Sequence, residues 1–89
     1  MIEFRHCLCD PNGLHARPAG QLATMAKRFV SDVRVTANGR EVDGKRLLAL
    51  MSLGAVCGTE LTFCISGEDE REAAEAIRAH LGREVESNG

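Results

Sequence analysis

Aromatic side chains are nearly absent from this chain of 89 residues. Three phenylalanines are present, with no tryptophan and no tyrosine, so the core must be built from leucine, valine, isoleucine, alanine and methionine. At this length we expect one small domain, residues 1–89. Such a domain buries only roughly 60–65% of the surface that its unfolded chain exposes, so its core must pack efficiently.

An excess of basic residues is also lacking. Lysine and arginine total 11 against 13 acidic residues, for a formal net charge of −2. Domains that bind nucleic acid usually carry a clear positive excess. We therefore expect no nucleic acid among the partners.

Long hydrophobic runs are lacking as well. No apolar segment approaches the ~20 residues that a helix needs to cross a bilayer. Residues 1–5 also lack the charged-then-apolar layout of a signal peptide. The sequence therefore predicts a cytoplasmic protein that does not insert into a membrane.

No Cys-x-x-Cys pair occurs among the four cysteines, which are Cys7, Cys9, Cys57 and Cys64. Neither a zinc knuckle nor a thioredoxin-type redox site is indicated, and we expect no metal and no cofactor. In a reducing cytosol the four thiols are expected to act as small apolar side chains. A metal site or a disulfide is the alternative.

The most informative stretch is residues 12–19, Asn-Gly-Leu-His-Ala-Arg-Pro-Ala. Asn12-Gly13 is a turn signal, and Pro18 fits only in the first turn of a helix, where its missing N–H is not needed. Apolar residues then recur at helical spacing as far as residue 29 or 30. His15 is therefore predicted at or next to the N-cap of the first helix.

The start of this helix is suited to binding an anion. Unsatisfied N–H groups and the positive end of the helix dipole meet there, and Arg17 adds a permanent charge whose planar fork suits phosphate oxygens. A histidine in this position is arranged to hold a phosphoryl group. His6 and His80, on a predicted strand and a predicted helix, are expected to be structural.

Four segments have the pattern of strands. Residues 2–9 and residues 59–66 alternate apolar and polar side chains, as half-buried strands do. Residues 33–37 and 40–43 flank Asn38-Gly39, which is the strongest short-range hairpin signal.

Two further helices are predicted. Residues 46–53 make about two turns, with Gly54 placed to end them. Because this segment is apolar nearly all round, part of it must stay exposed or contact a partner, namely Leu47, Leu48 and Met51. Residues 69–81 begin with acidic side chains, as a helix N-terminus favours, and the tail 82–89 is expected to fray.

The element order is thus β-α-β-β-α-β-α. The hairpin makes its strands antiparallel, and the helices must cover one face of the sheet. The predicted fold class is α+β, a two-layer open-faced β-sandwich.

These residues resemble HPr, the histidine-containing phosphocarrier of the bacterial phosphoenolpyruvate-dependent sugar phosphotransferase system. The resemblance rests on the motif at residues 13–19, the Asn38-Gly39 hairpin and residues 50–55, Leu-Met-Ser-Leu-Gly-Ala. It covers nearly the whole chain. It implies a four-stranded antiparallel sheet of order 1-4-2-3 with three helices on one face.

The resemblance also implies the function of a carrier, not of an enzyme. His15 would accept a phosphoryl group on a ring nitrogen from Enzyme I and pass it to the IIA domain of a sugar permease. Arg17 would neutralise the phosphoryl oxygens, and the backbone N–H groups of Ala16 and Arg17 would support them. Leu47, Leu48 and Met51 would form the docking surface. Nothing in the sequence demands a dimer, so a monomer is expected.

One position departs from the family's pattern. Most carriers of the Gram-positive type have a serine at the start of the second helix that a regulatory kinase phosphorylates, and this chain has Arg46 there. This control is predicted to be absent unless Ser52 substitutes, and Ser52 is expected to bond back to a carbonyl in its own helix. Arg46 is instead expected to attract an acidic partner, with Lys27, Lys45 and Arg17 nearby.

Two other functions stay open at this point. Phosphorylated His15 could report metabolic state, as in the branches of the same system that serve nitrogen regulation or dihydroxyacetone phosphorylation. The chain could also be an interaction module with an anion site and no covalent chemistry.

Overall fold

A computed structural model describes residues 1–88, and the side chains of residues 1–82. Its elements in chain order are β1 (Ile2–Cys7), α1 (Ala16–Lys27), β2 (Asp32–Ala37), β3 (Arg40–Asp43), α2 (Leu47–Met51), β4 (Glu60–Ser66) and α3 (Glu70–Asn88). The strands form one antiparallel sheet in the order β1-β4-β2-β3. The predicted α+β fold, its element order and its strand order are confirmed.

Phe63 lies at the centre of the sheet and of the core. It is fully buried and stands opposite Phe4 of β1 on one side and Val35 of β2 on the other. The rings of Phe4 and Phe63 stack with centroids 5.0 Å apart and planes 9° from parallel. Two of the three aromatic side chains therefore pair between the edge strand β1 and the inner strand β4. Aliphatic side chains from the strands, the loops and the helices fill the remaining core.

The Asn38-Gly39 turn joins β2 and β3 as predicted. Both residues have positive φ, 51° at Asn38 and 78° at Gly39, which a two-residue hairpin of this hand requires. The Asn38 side-chain amide also donates to the carbonyl oxygen of Leu53, at 3.0 Å. The hairpin is thereby tied to the segment that follows α2.

The helix ends differ from the predicted ones. α1 ends at Lys27, two or three residues early, because the N–H groups of Arg28 and Phe29 bond three residues back, to Met25 and Ala26. α2 spans five residues instead of eight, since the N–H groups of Leu53 and Gly54 likewise bond three residues back. Such tight turns commonly replace α-geometry at helix C-termini.

The last helix begins one residue later than predicted and runs to Asn88, beyond the predicted end at Leu81. The sequence predicts that residues 82–89 fray; the side chains of residues 83–89 and the backbone of residue 89 lie outside the described residues. It stays a prediction. Within residues 1–88, no helix combines the length and the apolar character that crossing a membrane needs.

A carboxylate links the beginning of α3 to the segment between α1 and β2. Asp69 accepts hydrogen bonds from the backbone N–H groups of Val30 (3.0 Å) and Ser31 (2.9 Å). The buried Ser31 hydroxyl donates to the same carboxylate. These hydrogen bonds, the one from the Ser31 hydroxyl above all, lower the pKa of Asp69, because they favour its charged form.

Replacing Asp69 by alanine should therefore destabilise the fold in a pH-dependent manner. A carboxyl whose pKa is lowered in the folded state stabilises the protein above its unfolded pKa of about 3.9, and this stabilisation is lost as the pH falls through the folded value. Urea unfolding should show a lower midpoint for Asp69→Ala at pH 7, and a smaller difference from the parent chain in strong acid. Asp32→Ala, which changes an exposed carboxylate on β2, is the control. Equal differences at both pH values would contradict this account.

Candidate functional site

The loop that leads into α1 lies directly against the backbone of the segment that follows α2. The N–H of Leu14 donates to the carbonyl oxygen of Ala55 at 3.0 Å. Gly13 has a φ of +69°, and a Cβ at this position would lie 2.4 Å from the same oxygen. Glycine is therefore required at position 13 both by its backbone angle and by the close approach.

His15 occupies the predicted N-cap of α1. Its backbone is extended, and its carbonyl oxygen accepts the N–H of Ala19 at 3.0 Å. Pro18 lies in the first turn and has no N–H to offer. The N–H groups of Ala16 and Arg17 are therefore the donors that this helix start presents to an anion.

The imidazole of His15 is half-exposed and contacts a carboxylate. Its Nε2 lies 3.3 Å from Oδ2 of Asp10, and the two side chains are 39% and 31% exposed. The other carboxylate oxygen of Asp10 accepts the N–H of Asn12 at 2.8 Å. That hydrogen bond is the main cause that lowers the pKa of Asp10, with a smaller contribution from His15 and an opposing one from desolvation.

Asp10 is a site residue that the sequence reasoning missed. It lies five positions before His15. This spacing predicts no contact, because the contact depends on the path of the intervening loop. The available signal was the Asp-Pro-Asn run at residues 10–12, because an aspartate at the start of a turn commonly binds the N–H two residues on.

Arg17 is exposed, as a phosphoryl-binding side chain must be. It lines a groove of about 550 Å³ between α1 and α3, together with Gln21, Arg28 and His80. Among the described side chains, residues 1–82, Arg17 forms no ion pair. Its charge is thus available to an incoming anion, and its predicted role stays a prediction.

The outer side of α2 presents the apolar side chains that the sequence predicted to be exposed. Leu48 is 78% exposed, while Leu47 and Met51 are 38% and 39% exposed. We call these three residues the α2 patch. Helix α2 packs against α1, the helix whose N-cap is His15. Val56, beside Gly13, is a further exposed apolar side chain that was not predicted.

Arg46 is the N-cap residue of α2 and makes no side-chain capping bond there. It lines a groove of about 620 Å³ with Lys27 and Lys45, whereas Arg17 lines the other groove. The predicted basic cluster is therefore divided between two grooves. Ser52 donates its hydroxyl to the carbonyl oxygen of Ala49 at 2.6 Å, as predicted.

The cysteines are all free thiols. Cys64 is half-buried, while Cys7, Cys9 and Cys57 are exposed, so the expected apolar packing applies at most to Cys64. Among the described side chains, those of residues 1–82, no group of three or more potential ligands could hold a metal ion.

Comparisons with known proteins agree with this geometry. A family model described as "PTS HPr component phosphorylation site" matches residues 2–82. The HPr-like protein Crh of Bacillus subtilis (strain 168) is 45% identical over 73 residues, which cover 82% of this chain and 86% of Crh. The phosphocarrier protein HPr of Buchnera aphidicola subsp. Acyrthosiphon pisum (strain APS) is 42% identical over 77 residues, covering 86% of this chain and 91% of that protein.

Solved structures agree as well. HPr-C-His from Thermoanaerobacter tengcongensis superposes with a TM-score of 0.87 at 32% identity, covering 92% of each chain. A structure described as an HPr dimer from the same organism gives a TM-score of 0.75 at 31% identity, covering 94% of this chain and 97% of that one. From its histidine loop, its sheet order and these matches, the chain belongs to the HPr family of phosphocarrier proteins.

Proposed function

We propose that this protein accepts a phosphoryl group on His15 from Enzyme I and passes it to the IIA domain of a sugar permease. The observation that carries the proposal is the setting of His15, a half-exposed imidazole at the N-cap of α1. Two first-turn N–H groups, of Ala16 and Arg17, lie on the same helix start as the Arg17 guanidinium, which forms no ion pair with the side chains of residues 1–82. A cytoplasmic monomer that binds no nucleic acid stays the expectation.

The arrangement suits a group that is received and then given away. A ring nitrogen of His15 attacks the phosphorus of phosphorylated Enzyme I, and the bond from phosphorus to the donor breaks as the new P–N bond forms. Imidazole is both a good nucleophile and a good leaving group near neutral pH. One arginine and two N–H groups bind phosphoryl oxygens only moderately, compared with a nucleotide-binding loop and its metal. The partner therefore supplies much of the transition-state stabilisation.

The α2 patch gives both partners a small apolar contact on the helix that packs against α1. Transient complexes use small interfaces with an apolar centre and a polar rim. Leu48, the most exposed of the three patch residues, is placed to enter a pocket on the partner. Lys27, Lys45 and Arg46 form one charged edge of this surface.

A second candidate is a regulator in which phosphorylated His15 reports metabolic state, for instance in the nitrogen or dihydroxyacetone branch of the same system. It is favoured by the 45% identity to Crh of Bacillus subtilis, a protein described as a catabolite repression HPr. Transfer from the phosphorylated protein to a IIA domain separates the two candidates, because only the carrier needs that step.

His15 should be phosphorylated by phosphoenolpyruvate and Enzyme I. Intact-mass measurement should show one added phosphoryl group, labile in acid as a P–N bond is, and lost in His15→Ala. His6→Gln, which alters a histidine on β1, should keep it. A parent chain that gains no phosphoryl group would leave only the interaction module with an anion site.

Leu48→Ser should weaken docking without weakening the fold. Truncation of a central interface side chain commonly costs 1–2 kcal/mol, so the KM for Enzyme I should rise about tenfold. Val30→Ser is the matched control, since Val30 is 73% exposed and lies beyond the end of α1 that is opposite His15. Equal KM values for Leu48→Ser and Val30→Ser would remove the α2 patch from the docking surface.

Arg46→Ala should slow transfer from Enzyme I about two- to threefold at low salt and make the rate less sensitive to ionic strength, because exposed charges act through screened long-range attraction. Arg5→Ala, on the open face of the sheet, should leave the salt dependence unchanged. An unchanged salt dependence in Arg46→Ala would exclude an acidic partner surface opposite Arg46.

A further inference from the structure

Asp10 faces the reactive ring from the turn that precedes it. Its Oδ2 lies 3.3 Å from Nε2 of His15. The function proposed above gives Asp10 no role. Asp10 is not on the helix that positions His15, so the contact depends on how the intervening loop is held.

The loop holds the carboxylate in one orientation. The N–H of Asn12 donates to Oδ1 of Asp10 at 2.8 Å, and the N–H of Gly13 donates to the Asp10 carbonyl oxygen at 2.9 Å. The hydrogen bond from the Leu14 N–H to the Ala55 carbonyl oxygen anchors this turn to the segment after α2. With Oδ1 engaged by the backbone, Oδ2 is the oxygen that meets the imidazole.

The charge of this carboxylate decides which ring nitrogen carries the proton. The Asn12 N–H lowers the pKa of Asp10, so the carboxylate is ionised at neutral pH and can only accept hydrogen bonds. The contact is favourable only when Nε2 carries a hydrogen. A neutral imidazole has one such hydrogen, which leaves the lone pair on Nδ1. Within the described residues, no capping hydrogen bond joins the His15 side chain to α1, so that lone pair is not used by the helix.

We propose that Asp10 is a positioning residue that holds the Nε2 proton of His15 and thereby presents Nδ1 to the phosphoryl donor. The inference rests on the proposed function of His15. In the transfer step the Nδ1 lone pair forms the bond to phosphorus, while the bond between phosphorus and the donor breaks and its electron pair returns to the donor. The Nε2 proton stays in place throughout, donated to Asp10. In the onward step the Nδ1–P bond breaks and its electron pair returns to Nδ1.

Two substitutions separate the charge of Asp10 from its role in the turn. Asp10→Ala removes both oxygens. Asp10→Asn keeps an oxygen that can accept the Asn12 N–H, but turns an NH₂ group toward Nε2, and this group can only donate. Asp10→Asn should therefore favour the opposite tautomer, with the lone pair on Nε2 and the hydrogen on Nδ1. Asp32→Asn, which neutralises an exposed carboxylate on β2, is the control.

The test is the ¹⁵N chemical shifts of the His15 ring, measured well above pH 6.5, the ordinary pKa of histidine, together with the transfer rate from Enzyme I. The parent chain and Asp32→Asn should show the hydrogen on Nε2, Asp10→Ala a mixture, and Asp10→Asn a shift toward hydrogen on Nδ1. The maximal transfer rate should fall about three- to fivefold in Asp10→Ala, a modest loss because exposed pairs interact weakly, and should fall further in Asp10→Asn. The KM for Enzyme I should not change.

The outcomes distinguish this inference from the function on which it rests. A parent chain that is never phosphorylated on His15 defeats the proposed function. A parent chain that is phosphorylated, but whose ring carries its hydrogen on Nδ1, overturns the role of Asp10 alone. So do equal tautomer populations and equal maximal rates in the parent chain and both Asp10 variants. Asp10→Asn keeps the oxygen that accepts the Asn12 N–H, so its turn should stay folded. It therefore tests the role of Asp10 even if Asp10→Ala loses transfer rate through unfolding.

Discussion

The site depends on a contact between two stretches of backbone that leaves no space for a side chain. Gly13 and Leu14 lie against Ala55 and Val56, which joins the loop before α1 to the segment after α2. This one contact sets where His15 stands relative to the α2 patch, because His15 is two residues from Gly13. The imidazole of His15 and the α2 patch are therefore positioned relative to each other through the same few peptide groups.

Around this contact, a few side chains each join several elements of the small domain. Phe63 is shared by three strands through its pairing with Phe4 and Val35, and Arg78 of α3 lies over the outer side of the stack, 5.2 Å from the Phe4 centroid. Asp69 links the start of α3 to the segment between α1 and β2. Each helix is thus attached to the sheet or to another helix at a defined point.

The features that were predictable from the sequence obey local rules. The Asn38-Gly39 hairpin and the N-cap position of His15 are each determined by a few adjacent residues, whose allowed backbone angles leave one solution. The contact between Gly13 and Ala55 joins residues far apart in the chain, and the contact between the Asp10 carboxylate and the His15 ring depends on the path of the loop. The end of α2 is also accompanied by a tertiary contact, since the carbonyl oxygen of Leu53 accepts the Asn38 side-chain amide just beyond it. Local propensity carries no information on such contacts.

The backbone contact between the loop that carries His15 and the segment after α2 has a consequence for the proposed relay. If the α2 patch and His15 act as one site, a donor and an acceptor would cover the same side of the molecule, and a ternary complex of donor, carrier and acceptor would be sterically excluded. The carrier would have to leave one partner before it meets the next. Throughput would then scale with the concentration of free carrier and with its dissociation rates, and tighter binding to either partner would slow the relay as a whole.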